Sequence, residues 1–306
     1  MIQEAVPLVE CVPNVSEGRR PDVIEALASA ISDSGVHLLD RSSDPSHNRT
    51  VYTFVGEAEA LQRAVLQLFA SAIAHIDLRY HDGVHPRIGV VDVVPFVPLD
   101  GATMSDCIAL ARSTAALVAG QYKVPVYLYE EAATRPGRRN LADIRRGGFE
   151  ALASRIQLDE WRPDFGTAEP HPTAGVSAIG ARPVLVAYNV NLATDRVEVA
   201  KRIARTIRAS SGGFDGVKAM GVLIDHRGVA QVSMNLTDYR RTSMATVFDA
   251  VARQAAAEGV EVLESEIVGL LPADALPENP IVRLKLRHAD ADRVLEERLD
   301  RALGSK

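Results

Sequence analysis

The densest cluster of groups able to move protons or hold ions is Tyr80-His81-Asp82-Gly83-Val84-His85-Pro86-Arg87. Gly83 and Pro86 keep His81 and His85 off one regular helical turn, which disfavours the paired-histidine helix face of a zinc protease. No third ligand stands nearby to complete a metal site. A lone loop histidine is by default a solvated or capping group. His85 has more around it, because Pro86 fixes the backbone on one side and Arg87 follows. An imidazole titrating near neutrality beside a guanidinium suits general acid–base work on an anionic substrate.

A second cluster, Asp40-Arg41-Ser42-Ser43-Asp44-Pro45-Ser46-His47-Asn48-Arg49-Thr50, connects two predicted strands. Turn chemistry accounts for its Asp, Ser, Pro and Asn residues. It does not account for Arg49, since a turn has no need of a guanidinium directly before a strand, whereas bidentate carboxylate recognition does. A third set, Asn189, Asn191, Gln231, Ser233 and Asn235, falls on alternate positions of two strands and so shares a sheet face. That face reads either as solvent-exposed or as a polar wall turned toward the first half. No P-loop, no GxGxxG in the right context and no GxSxG elbow occurs, which removes the usual support for nucleotide binding and serine hydrolysis.

Rigid elements must hold these loops. In the second half the hydrophobic period switches cleanly between two and about 3.6. Residues 183–192 read as a strand, Val199, Ile203 and Ile207 as one helix face, 217–225 and 229–236 as a hairpin turned by His226-Arg227-Gly228, Val247, Val251 and Ala255 as a second helix, and 260–271 as the last strand. The first half repeats this order with strands at 7–12, VHLLD, 50–55 and 89–97. Its helices run near 21–34, with Pro21 in the first turn, and through Leu61, Val65, Leu68, Ala72 and Ile76. A further helix near 104–119 and a strand at 124–129 extend it. The fold class expected is α/β (α+β): two tandem ferredoxin-like βαββαβ subdomains, each an antiparallel sheet with helices on one face, with a ligand cleft between them. The boundary is placed at 1–180 and 181–306. Between the halves, 162–182 is dense in Gly, Pro, Thr and Ala, a linker-like composition.

Composition narrows the classes. Across 306 residues, 47% hydrophobic and 24% charged content describe an ordered globular chain. Forty acidic against 34 basic residues give a net charge of -6, without long Lys/Arg runs, which argues against nucleic acid as a partner. Two cysteines, Cys11 and Cys107, cannot form a disulfide framework and fit a reducing, cytoplasmic setting. No apolar run approaches the ~20 residues of a membrane span, and the N-terminus lacks a basic start, so neither membrane insertion nor secretion is expected.

Several longer stretches resemble one family. VECVPNVSEGR (9–19), LLDRSSDPSHNRTVYTFVG (38–56), HDGVHPRIGVVDVVPFVPL (81–99), VPVYLYEEAATRPGRRNLADIRRG (124–147) and VSMNLTDY (232–239) are similar to glutamate formimidoyltransferase (formiminotransferase), over residues 7 to 275. The resemblance implies a duplicated ferredoxin-like transferase that forms a homodimer, here without the helical cyclodeaminase domain of larger relatives. It implies transfer of a formimino group from N-formimino-L-glutamate to the 5-nitrogen of tetrahydrofolate, a step of histidine degradation, with tetrahydrofolate as co-substrate and no metal.

Carried over by motif, the catalytic histidine is His85, and the folate-contacting segment is Gly166 to Gly175, with Gly166, Thr167, Pro172, Thr173 and Gly175 as the cofactor-binding residues. Many relatives carry an acidic residue where this chain has Ser42, so Asp40 or Asp44 is expected to pair with the amidinium. Asn48, Arg49 and Arg87 are expected to bind the donor, the two arginines through its carboxylates. The alternatives are formyl transfer involving N-formylglutamate and a non-catalytic folate-binding protein.

Overall fold

A computed structural model of the chain describes residues 7–304. They divide into two compact units between Pro183 and Val184. In the first, a strand interrupted at Val12-Pro13 supplies β1 (Val9–Cys11) and β2 (Asn14–Val15). It is followed by α1 (Pro21–Ser32), β3 (His37–Asp44), β4 (Arg49–Gly56), α2 (Ala58–His75) and β5 (Val91–Pro98). β1 pairs with β4 on one side and β5 on the other, and β3 flanks β4, all antiparallel. That is the ferredoxin-like order. The chain then adds α3 (Met104–Tyr122), β6 (Val126–Glu130), two one-turn helices, α4 (Leu141–Ile144) and α5 (Leu152–Arg155), and β7 (Ser177–Ala181).

β7 lies between β5 and β6 and runs parallel to both, so this sheet is mixed and not antiparallel throughout as expected. The end of the linker-like stretch is therefore a buried interior strand. Its small residues have a packing reason: a Cβ on Gly180 would meet the Tyr129 carbonyl oxygen at 2.3 Å. One sheet face carries α1, α2 and α3 over a core that includes Leu27, Ile31, Tyr52, Phe54, Leu61, Phe69 and Phe96. Each such side chain contributes about 1.5–3 kcal/mol through burial. On the other face Ile144, Leu152 and Ile156 cover Val93, Tyr127, Tyr129 and Ala178.

The second unit comprises β8 (Val186–Leu192), α6 (Val197–Ile207), β9 (Val217–Ile224), β10 (Val229–Leu236), α7 (Met244–Ala257) and β11 (Val262–Val268), then α8 (Pro280–Arg283) and α9 (Leu295–Leu303). Its sheet order is β11-β8-β10-β9, antiparallel at every pairing. Val186, Tyr188, Val190 and Leu192 alternate toward Val199, Ile203, Val247 and Val251 in one core. The intervening polar residues are not solvated as a surface reading would have them: Asn189, Asn191 and Gln231 are buried. They survive burial by pairing. Asn189 Nδ2 and Gln231 Nε2 donate to Glu266 Oε1 at 3.1 and 2.9 Å, and Gln231 Nε2 also lies 2.9 Å from Asn191 Oδ1. Ser233 and Asn235, farther along β10, are less enclosed.

Candidate active site

Three segments of the first unit are locked together beneath the two clusters singled out by their chemistry. Gly18 packs where a Cβ would lie 2.4 Å from the Asp44 carbonyl oxygen and 2.5 Å from the Arg49 nitrogen. Gly83 packs where a Cβ would lie 2.5 Å from the His47 carbonyl oxygen. Asn48 joins both loops: at φ 48 it turns the β3–β4 hairpin, accepts from the Gly18 N–H at 2.9 Å through Oδ1, and donates Nδ2 to the Asp82 carbonyl at 2.8 Å. Expected as a donor contact, Asn48 has its amide engaged on both sides in holding the hairpin against the histidine loop. Glu17, in the same segment, accepts from the backbone N–H groups of Arg19 and Arg20 at 2.8 and 2.9 Å and places negative charge at the N-terminus of α1.

On this frame Arg49 and His85, 36 residues apart, meet: the Arg49 Nη1 to His85 Nε2 distance is 2.6 Å. His85 Nδ1 lies 2.8 Å from the Pro86 carbonyl and donates its proton there, so Nε2 carries the lone pair and accepts from the guanidinium. Burial, then the charges of Arg49 and Arg145 and the neighbouring His47, hold the His85 imidazole well below its ordinary pKa. The ring is therefore a neutral base across the physiological range. His47 adds an aromatic wall at 5.7 Å between ring centroids. Burial and the like charge of Arg145 push Arg49 down to about 10, against the opposing effects of Asp92 and Asp44.

His81 differs. Its Nε2 donates to the Asn48 carbonyl at 2.9 Å, and its Nδ1 accepts from Arg87 Nε at 3.0 Å. Both ring nitrogens are held by the frame. Arg87 also donates to the His81 carbonyl and pairs with Glu150, both at 2.9 Å, so its guanidinium fixes His81 and the 150 segment to each other. Asp44 sits opposite Arg49 across the hairpin, and its Oδ1 accepts from the His47 N–H at 2.8 Å. Asp40, Ser42 and Asp44 alternate along β3 and share that sheet face, but Asp40 is opposite Thr53, about 13 Å farther along at ~3.3 Å per residue. Only Asp44 is adjacent to Arg49.

Residues the sequence reading left unassigned complete the site. Asp92, the single acid inside the apolar β5, accepts from the Ile88 N–H through Oδ1 at 2.7 Å and pairs through Oδ2 with Arg145. An acid near the start of a buried strand is itself a signal, since it demands a cationic partner. Arg145 follows α4, and its Nε is buried without a hydrogen-bond partner.

Beyond His81 and Arg87 opens a cavity of about 510 Å³, within the range of small-molecule sites. Its wall includes Phe149, Glu150, Pro170, His171 and Pro172. Of the expected folate contacts, Pro172 lines this space. Thr173 lies next to it, its carbonyl bonded to the Leu78 N–H at 2.9 Å. Gly166 and Thr167 are exposed at the start of the segment. Gly175, at φ 71 and with Ile88 O only 2.1 Å from a notional Cβ, serves close backbone packing. His171, unassigned before, shapes the turn: Nδ1 accepts from the Ala174 N–H at 3.0 Å, while His171 and Gly175 exchange both backbone bonds at 2.9 Å. The segment's start is anchored by Asp164, which accepts from the Leu128 N–H at 2.8 Å and from buried Arg138 at 2.6 Å. Among the described residues no group of three or more His, Cys, Asp or Glu could hold a metal ion, and no helix is long and apolar enough to cross a membrane.

Comparison with known proteins gives a consistent result. Residues 8–182 match the model described as "Formiminotransferase domain, N-terminal subdomain" and residues 187–281 that of "Formiminotransferase domain". A "Glutamate formimidoyltransferase" of Streptococcus pyogenes serotype M1 is 46% identical over 270 residues, 88% of this chain and 90% of its own. One from Thermoplasma acidophilum is 43% identical over 298 residues, 96% of this chain and 98% of its own. The "Formimidoyltransferase-cyclodeaminase" of Sus scrofa is 43% identical over 276 residues, which span 88% of this chain and 51% of that protein.

Proposed function

The chain belongs to the formiminotransferase family, and from that membership we propose how its site divides the work of the reaction. The enzyme transfers the formimino group of N-formimino-L-glutamate to the 5-nitrogen of tetrahydrofolate, giving 5-formimino-tetrahydrofolate and glutamate in histidine degradation. The co-substrate nitrogen is the nucleophile. When it bonds to the amidine carbon it must lose a proton, and the glutamate amine must gain one as the old carbon–nitrogen bond breaks. His85 takes the first proton on Nε2 and returns it to the departing amine, a contribution typically of ~10²–10⁴ in rate. The observation that carries this is the fixed tautomer: Nδ1–H is tied to the Pro86 carbonyl, which leaves Nε2 as a neutral base. The guanidinium on His81 Nδ1 belongs to Arg87, which Glu150 and the His81 carbonyl hold in place, whereas the one on His85 Nε2 belongs to Arg49, the arginine assigned to the donor.

Asp44 holds the cationic amidine, a reading supported by its position opposite Arg49, and Arg49 receives a donor carboxylate. The cavity bordered by Pro170, His171, Pro172 and Phe149 accommodates the co-substrate. Phe149, Leu152, Pro170 and Pro172 offer apolar surface for a ring system, and Pro170 to Pro172 belong to the segment the family resemblance marks for folate. The reading extends to a cytoplasmic homodimer; buried free thiols at Cys11 and Cys107 fit a reducing compartment.

Replacing His85 by Gln tests the assignment. Transfer falls by about 10²–10⁴ while tetrahydrofolate still binds. Near-normal turnover in a folded His85→Gln enzyme overturns it and returns attention to His81.

A further inference from the structure

Around His85 two guanidiniums, Arg49 and Arg145, face two carboxylates, Asp92 and Asp44, and Arg49 is hydrogen-bonded to the neutral imidazole. Arg49 and Arg145 repel each other; Asp92 is bonded to Arg145, and Asp44 is the other anion acting on Arg49. The groups that act on His85 itself are Arg49, Arg145 and His47. Arg145 keeps one buried donor, Nε, unmade, although its side chain is only 13% exposed. Leaving such a donor unpaired is costly, and a guanidinium fork is built to close on a carboxylate. Meanwhile Arg49 lies directly on the nitrogen that the proton transfer needs, at 2.6 Å. A base capped in this way cannot accept a proton until the cap moves.

We propose that Arg145 and Arg49 together receive one carboxylate of the glutamyl donor, and that this carboxylate draws Arg49 off His85 Nε2, so that the base is uncovered only when the donor is in place. The inference rests on the acid–base assignment of His85 and adds to it a specificity residue, Arg145, and an order of events. Withdrawal of the cation and arrival of an anion both favour protonation of the ring. The uncovered base is thus also the stronger one.

The test uses the whole enzyme with ¹⁵N-labelled histidine, followed by NMR as L-glutamate is added. In the wild type, saturating glutamate should move the Nε2 resonance and raise the His85 pKa. Glutaric diamide, without carboxylates, should do neither. Arg145→Gln should raise the donor KM and the glutamate Kd by about 10- to 100-fold with a smaller change in kcat, as expected for loss of a charged hydrogen bond. Arg145→Lys keeps a cation beside Asp92 and removes the fork, so it guards against a folding defect and should still raise KM. An unmoved Nε2 signal at saturating glutamate, or a KM unchanged in both variants with only kcat reduced, overturns the proposal. The resonance shift is a binding measurement. It stands whether or not His85→Gln loses turnover, which separates a failure of this inference from a failure of the acid–base assignment.

Discussion

The two sheets share a ferredoxin-like order yet treat buried polar groups in opposite ways. In the second unit, Asn189, Asn191, Gln231 and Glu266 lie on adjacent strands, and their amides bond to that carboxylate and to one another. Arg287 adds an ion pair to Glu266 at 2.8 Å. Such a ladder is held by the strand register itself. In the first unit the charged groups sit at strand ends and loops, where Arg49, His85 and Arg145 leave a lone pair capped and a donor unmade. The ladder also leaves one atom, Gln231 Oε1, without a partner, but its charges Glu266 and Arg287 are paired, whereas in the first unit the Arg49 guanidinium rests on a neutral imidazole. The same architecture thus supplies both a stable surface and a poised one.

The most severe perturbation should be loss of the acid that couples strand to site. Asp92→Ala strands Arg145 and frees the Ile88 N–H, and breaking a buried pair in this way costs about 3–5 kcal/mol. Urea unfolding measures it, and a loss below about 1 kcal/mol would show that water already compensates the pair. Next in size is Gly18→Ala, where the new methyl meets backbone at 2.4 and 2.5 Å. Overpacking of this kind costs about 1–3 kcal/mol. It should also move Arg49, so transfer should fall further than the folded fraction; unchanged activity would detach Gly18 from the site. In the second unit Glu266→Gln should cost about 1–3 kcal/mol, because Arg287 keeps no full charge opposite it there. A thermal melt showing no change would mean that the ladder tolerates a neutral rung.

Gly228→Ala should cost about 1 kcal/mol or less, since at φ 62 the cost is backbone conformation alone and no atom lies within 4 Å of a notional Cβ. The mildest effect is on acid stability. His85, His81 and His171 all have folded-state pKa values below the ordinary one, chiefly through burial. Below about pH 6.5 the unfolded chain therefore binds protons that the folded chain does not, and stability declines as pH falls from there. His85→Gln should flatten that decline, and an identical slope in melts from pH 7 to 5 would exclude His85 as a contributor.

Periodicity was enough to find α1, α2, α3, α6 and α7 and most strands, because Val199/Ile203/Ile207 and Leu61/Val65/Leu68 fit no other regular element, but it gave no sign of α4, α5, α8 or α9. It failed at Ser177–Ala181, where packing selects small residues and gives a strand the composition of a linker. On the face of Asn189, Asn191 and Gln231 it left a solvent-exposed face and a polar wall both open, since alternation reports which residues share a side and not whether water reaches it. The meeting of Arg49 with His85 had only residue type behind it: a guanidinium where no turn needs one. Arg145 lies in the stretch 124–147, but nothing local marks it, because its partner Asp92 is 53 residues away.

The placement of β7 governs the order in which the chain can assemble. Within the sheet β6 pairs with β7, so it cannot join until residues 131–176 have been made and closed on themselves. Closing a long excursion is a late, entropically opposed event. Phe149, Glu150 and Pro170 to Pro172 all lie inside that excursion. During synthesis the ferredoxin-like half of the first unit can therefore form while the cavity does not yet exist. The cavity bordered by Phe149, Glu150 and Pro170 to Pro172 is built at the moment Ser177–Ala181 slots between its neighbours.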